Sequence, residues 1–173
     1  MAALDLAPGD FGRASPDDEE GAAAAATLLT FDLAGQKLAV DVRQIREILD
    51  LQPIARVPNA ASDVLGVIDV RGEAITMIDL GDRLGMHRSG LAQDARIIVL
   101  ELGPANALQV AGFEADAVLS VVEVAPEAIE PVPVPTATRW RGAAVTGMTR
   151  LDGALFMIVD LEALLATETA EGF

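Results

Sequence analysis

Few side chains in this sequence are able to carry out chemistry. There is no cysteine and no tyrosine, and His87 is the only histidine. Disulfides and thiolate metal sites are therefore unavailable. His87 stands in the polar stretch MHRSGLAQDA with no second ligand nearby, which reads as an exposed and idle imidazole. Carboxylates are what remain. Asp69, Glu73, Asp79 and Asp160 could in principle include a pair for acid–base hydrolysis. Against that, Asp79 and Asp160 each stand where a strand-like run gives way to a helix-like one, a natural capping position. Glu73 falls in a turn. No Gly-rich phosphate loop, nucleophile elbow or metal-ligand spacing occurs in the sequence. These residue types argue against an enzyme, and they call for no metal and no cofactor.

Recognition is the chemistry left, and Arg71 is its leading candidate. It lies in GVIDVRGEAITMIDLGDRLG (66–85), where Val67, Ile68 and Val70 lead into Arg71-Gly72-Glu73 and Ala74 to Ile78 lead out. Two short β-prone runs about a Gly-containing turn predict a hairpin. The turn must hold Arg71 at the surface, charged, beside a glycine that admits a partner's backbone. The return arm ends in Asp79-Leu80, with a short helical stretch closed by Leu84-Gly85. Trp140, between Arg139 and Arg141, has the chemistry of an interface anchor but more often packs on its own fold.

The whole chain bounds what this hairpin belongs to. Its 173 residues suit one domain or two small intertwined ones. Apolar residues make up 51% and aromatics only 3%, so the core must be built from Val, Ile, Leu and Ala. A formal charge of −15 repels phosphate backbones and anionic lipids, which argues against nucleic acid and direct membrane binding. No apolar run approaches the roughly 18–20 residues of a spanning helix. No basic-then-apolar leader opens the chain. A soluble, cytoplasmic protein is expected.

Residues 1–26 read as a disordered acidic and Ala-rich tail, carrying six acids against Arg13. Residues 27–167 read as the folded domain and 168–173 as a short C-terminal tail. In LLTFDLAG, Leu29, Phe31 and Leu33 alternate with Thr30 and Asp32, the period of a strand. Asp41 is placed to cap a helix with Gln44 completing a capping box, and Val42, Ile45 and Leu49 share a helical face with Ile48 at its edge. Glu47 would then flank an apolar strip suited to a partner helix. Asn59 to Leu65 predict a helical turn ended by Gly66. Two more strands follow between Arg96 and Phe113. Asp116 is placed to cap a second helix through Val121, and GMTRLDGALFMIVD predicts a last hairpin before a helix from Leu161.

The halves repeat. Asp41, Ile54, Val57 and Pro58 recur as Asp116, Ile129, Val132 and Pro133 at a constant offset of 75. Gly66, Gly72, Asp79 and Leu80 recur as Gly147, Gly153, Asp160 and Leu161 at an offset of 81. The tally of about ten short strands with frequent turns suggests small barrels, which close their own edges. A mainly β fold of two similar barrels, packed side by side with a groove at their junction, is expected.

From about Leu28 to Leu165 the chain resembles the CheW family, the coupling proteins that link chemoreceptors to the chemotaxis histidine kinase. The strongest segment is GVIDVRG…MIDLGDRLG, supported by VRQIREIL, GFEADAVLSVVEV and TGMTRLDGALFMIVDLEALL. Two positions depart from the family pattern: Thr76 stands where proline is usual, and Asp69 where asparagine is usual. Asp69 adds a negative charge able to hold the Arg71 guanidinium internally. The resemblance implies two intertwined five-stranded, SH3-like β-barrels with a few short helices, no catalysis, and two partners. One is the helical hairpin at the cytoplasmic tip of a chemoreceptor, bound in the groove between the barrels. The other is the regulatory domain of the histidine kinase, which has the same fold. Carried over by position, Ile45, Glu47, Ile48 and Arg71 would contact the receptor. A scaffold of a non-chemotactic two-component pathway is the main alternative, and a carboxylate hydrolase a distant one.

Overall fold

The fold was analysed in a computed structural model that describes residues 24–86, 90, 92–133 and 144–165. Residues 1–23, His87, Arg139-Trp140-Arg141 and residues 166–173, on which several sequence expectations fall, lie outside the described residues. Among the described residues, eleven strands make two sheets. In chain order they are β1 (Ala26–Leu33), β2 (Gln36–Asp41), β3 (Ile45–Leu49), β4 (Val64–Val70), β5 (Glu73–Ile78), β6 (Arg96–Leu102), β7 (Gln109–Ala115), β8 (Ala117–Val124), β9 (Ile129–Glu130), β10 (Val145–Leu151) and β11 (Ala154–Val159).

The first sheet runs β8-β1-β2-β11-β10-β9 and the second β3-β6-β7-β5-β4. Each sheet therefore borrows a hairpin from the other half of the chain: β1–β2 joins second-half strands, and β6–β7 joins first-half strands. The joints are parallel, β2 beside β11 and β7 beside β5. This exchange is what makes the two SH3-like subdomains intertwined. The second sheet has the expected five strands; the first reaches six only by counting the two-residue β9.

The repeat is visible atom by atom. β4–β5 and β10–β11 carry their bulges at the same place, between Val64 and Gly66 and between Val145 and Gly147. The Asp79 and Asp160 carboxylates accept equivalent N–H groups, from Asp82 at 3.0 Å and from Ala163 at 3.1 Å. Each cap starts one turn of helix, Leu80–Arg83 and residues 161–165. Gly66 does not end a helical turn. It sits in β4 with φ +148°, where an added Cβ would overlap the Ala55 carbonyl, because Ala55 forms an isolated bridge to Val67. Gly147 is equally crowded: a Cβ there would meet Ile129 at 2.7 Å.

Two expected helices are strands. Only Val42–Gln44 forms a 3-10 turn after Asp41, whose carboxylate accepts from the Arg43 N–H at 2.9 Å, with no bond from Gln44. Ile45–Leu49 is β3, paired to β6. The segment after Asp116 is β8, and the Asp116 carboxylate instead accepts the Ala34 N–H at 2.8 Å, tying one hairpin to the other.

The largest apolar cluster lies between the sheets. It joins Leu29, Phe31, Leu38 and Val40 of the first sheet to Ile98, Leu100 and Phe113 of the second. The Phe31 and Phe113 rings, centroids 5.3 Å apart, pack at a tilt. Smaller clusters fill each barrel: Ile68, Ile75, Met77, Ile97 and Val99 in one, Leu28, Ala39 and Val124 in the other. β1 and β6 are thus buried on both faces. That explains Thr30, 1% exposed inside β1: its hydroxyl donates to the Ser120 carbonyl at 3.0 Å and accepts the Ser120 N–H at 3.1 Å. A buried hydroxyl is tolerable because both capacities are used.

Candidate functional site

The β4–β5 hairpin closes in two residues, with Val70 opposite Glu73. Arg71 has φ +51° and Gly72 φ +84°, the signs of a type I′ turn, whose twist matches the strands it joins. Asp69 accepts the Gly72 N–H at 2.8 Å, so its carboxylate stabilises the turn and does not engage the guanidinium. The partner of Arg71 is Glu47, at 2.6 Å from Nη2 to Oε1. The arginine side chain remains 70% exposed while the glutamate is 20% exposed.

That contact crosses the sheet's open ends. β3 is one edge of the second sheet and β4–β5 forms the other, so the sheet must curl until they meet. Arg46, next to Glu47, completes the meeting. It donates through Nη1 to Glu73 Oε1 at 3.1 Å and lies 2.9 Å through Nη2 from Oε2. Its Nε lies 3.8 Å from Glu101 on the neighbouring β6. Hydrogen bonding to Glu73 raises the Arg46 pKa above its ordinary value, with smaller contributions of the same sign from nearby carboxylates.

Adjacent strand residues normally point to opposite faces. Arg46 and Glu47 share a direction because β3 carries a bulge between Ile45 and Glu47, opposite Leu100 and Val99 of β6. A bulge re-aims a side chain. Ile48, 41% exposed, follows Glu47 in regular register opposite Ile98, so it faces the other side of β3 from Glu47. Ile45 does not sit openly with the charged pairs: it is half-buried and packs on the central cluster. Glu47 and Arg71 are therefore brought together, whereas the register places Ile48 on the other side of β3, with Ile45. Arg46 and Glu101 were not singled out from the sequence, and Glu73 only as a turn carboxylate, because 27 and more residues separate Arg46 from its partners.

Just before β3, the 3-10 turn borders a trough of about 310 Å³, walled by Ala26, Leu28, Gln44, Thr146, Ile158 and Glu162. It mixes an apolar floor with acidic and amide rims. The carboxylates considered for acid–base work are all occupied structurally: Asp79 and Asp160 as caps, Asp69 in the turn, Glu73 with Arg46. Among the described residues, no group of three or more acidic or histidine side chains is placed to hold a metal.

One buried pair was not foreseen. Arg83, 7% exposed, meets Asp63 at 2.8 Å from Nε to Oδ2. It fixes the first short helix to the approach of β4, alongside the Asp79 N–H bond to the Asp63 carbonyl at 2.7 Å.

Two interlocked SH3-like barrels with an ion-paired hairpin tip and no assembled catalytic group among the described residues have the make-up of a scaffold domain. Residues 27–169 match the CheW-like domain, and the chain belongs to that family. It is 31% identical over 144 residues to a probable chemotaxis protein CheW of Rhizobium etli, covering 83% of this chain and 90% of the relative. It is 29% identical over 143 residues to the chemotaxis protein CheW of Klebsiella aerogenes, covering 81% of each. The crystal structure of the scaffolding protein TtCheW from Thermoanaerobacter tengcongensis superposes with a TM-score of 0.70 at 31% identity, over 82% of this chain and 88% of that one.

Proposed function

We propose that this chain is a non-enzymatic cytoplasmic adaptor that couples the helical tip of a chemoreceptor to the regulatory domain of the chemotaxis histidine kinase. Residues 27–167 act as the working domain, flanked by tails at 1–26 and 168–173. The observation that carries the reading is the Glu47–Arg71 pair: a largely exposed arginine, held by a long-range partner on a turn where arginine is conformationally unfavourable. Such a residue is retained for what it touches. Glu47 and Arg71 form the receptor face, and Ile48 and Ile45, on the other side of β3, extend it. No membrane insertion is required, and no helix of the described residues is long and apolar enough to cross a membrane.

The work of such a domain is geometric. It holds two partners in a fixed relation, and many modest contacts in an array multiply into a firm lattice. The engagement of Asp69, Glu73, Asp79 and Asp160 in turns, caps and ion pairs supports a role without bond making or breaking. The test is a pull-down against a receptor-tip fragment and a kinase regulatory domain, wild type beside Arg71→Glu. The variant is expected to lose the receptor fragment and keep both its fold and the kinase domain. Undiminished receptor capture would remove Arg71 from the interface.

A further inference from the structure

The charged surface contains a second arginine that faces no partner in the reading above. Arg46 is the extra residue of the β3 bulge, and its guanidinium forks onto both oxygens of Glu73, with Glu101 behind it. Its side chain is 33% exposed, against 70% for Arg71, so it is held in the seam and less available for contact. Glu73 follows Gly72 directly, and Arg71 precedes it. The hairpin tip is thereby gripped on both sides of its glycine, once through each charge sign: Arg46 takes Glu73, and Glu47 takes Arg71.

We propose that Arg46 is a positioning residue that fixes the Glu47–Arg71 pair for helix recognition. Two features carry this. A two-residue turn pivots easily about its flanking strands, and a single exposed ion pair does little to stop it. A fork of two parallel N–H···O contacts, by contrast, sets orientation as well as distance. The bulge is also explained, since without it Arg46 would point away from the tip that Glu47 reaches. The pseudo-equivalent strand β8 also carries a bulge, at Leu119 opposite Thr30 and Phe31, two residues before the position that the offset of 75 matches to Arg46. There the exposed residues are Leu119, Ser120 and Val121, which carry no charge to fork onto a hairpin tip.

The inference rests on the receptor reading for its functional arm, and the experiment separates the two. In full-length protein, the Arg71 Nε–H resonance is followed by NMR in wild type, Arg46→Ala and Arg46→Lys. Affinity for a soluble chemoreceptor-tip hairpin is measured for wild type, Arg46→Ala, Arg71→Ala and the double variant. Arg46→Ala is expected to broaden or shift the Arg71 signal and to weaken hairpin binding about tenfold. It should add less than twofold in the Arg71→Ala background, because effects through a shared contact do not add. Arg46→Lys, unable to fork, should restore only part of both readouts. An unchanged Arg71 resonance in Arg46→Ala overturns the proposal, as does an equal loss in both backgrounds. Should wild type itself not bind the hairpin, the receptor reading falls and the resonance alone decides the positioning role.

Discussion

Arg71→Asn separates stability from recognition at a single position. An L-residue in the left-handed region costs about 1–2 kcal/mol relative to its right-handed alternative, and Asn is among the few residues that visit it routinely. Arg71 sits there at φ +51°, followed by Gly72 at φ +84°. Asn-Gly is the favoured pair for such a two-residue turn. Against this gain stands the lost pair with Glu47, worth about 0.2–1 kcal/mol for a largely exposed partner. The Asp69 bond to the Gly72 N–H uses backbone at the turn and survives the change. The balance favours the variant by roughly 0.5 kcal/mol. Urea unfolding should show a midpoint equal to or slightly above wild type, with an unchanged slope. Titration with a receptor-tip hairpin should show affinity reduced tenfold or more. A variant destabilised by more than about 1 kcal/mol would refute the strain argument, since it would mean that the ion pair outweighs the backbone cost. A more stable variant with full affinity would refute the assignment of Arg71 to recognition.

Other expectations follow from the packing and the charges. Phe31→Ala removes a fully buried ring from the contact between the two sheets and should cost about 3–5 kcal/mol by chemical denaturation, with both barrels unfolding together. Gly66→Ala drives a Cβ into the Ala55 carbonyl and should cost about 1–3 kcal/mol or more, whereas Gly35→Ala meets open space and should cost only about 1 kcal/mol from its positive φ. Asp63→Ala strips a carboxylate from the buried Arg83 and should cost roughly 3–5 kcal/mol, read as a lowered thermal midpoint. The Asp41 carboxyl is held below its ordinary range, chiefly by the side-chain hydrogen bond from Arg43, with burial opposing. A depressed folded pKa stabilises above the unfolded value, and that stabilisation is lost as pH falls through the folded one, below about pH 4. Asp41→Asn should flatten this acid limb in unfolding curves taken from neutral to low pH.

What was legible in the sequence was local. Arg71-Gly72 with Asp79-Leu80 announces a hairpin and its cap because the determinants lie within a dozen residues. The constant offsets announced the repeat because turns and caps recur with their strands. The helix expected over Val42 to Leu49 failed for an identifiable reason. A bulge at Arg46 adds one residue to β3 and breaks the two-residue alternation, so that Ile45 and Leu49, which would share a helical face, pack on different clusters from opposite sides of the strand. The alternation is broken likewise at Leu119 in β8. Thr30 read as the polar side of a half-exposed strand, yet it is buried, because the partner that satisfies it, Ser120, is 90 residues away. The Glu47–Arg71 pair was half legible. Arg71 stands out beside its glycine, but its partner depends on the curl that brings β3 to the far hairpin, and no local pattern encodes that closure. Asp69, adjacent in sequence and opposite in charge, was the wrong partner for the same reason.

The central claim is that one domain holds two different proteins at once. Sedimentation velocity on this chain mixed with a receptor-tip hairpin and a kinase regulatory domain tests it most directly. A species containing all three components is expected, and it should lose only the receptor fragment when Arg71 is replaced by Glu. Binding of the two partners in mutual exclusion, or of neither, would contradict it.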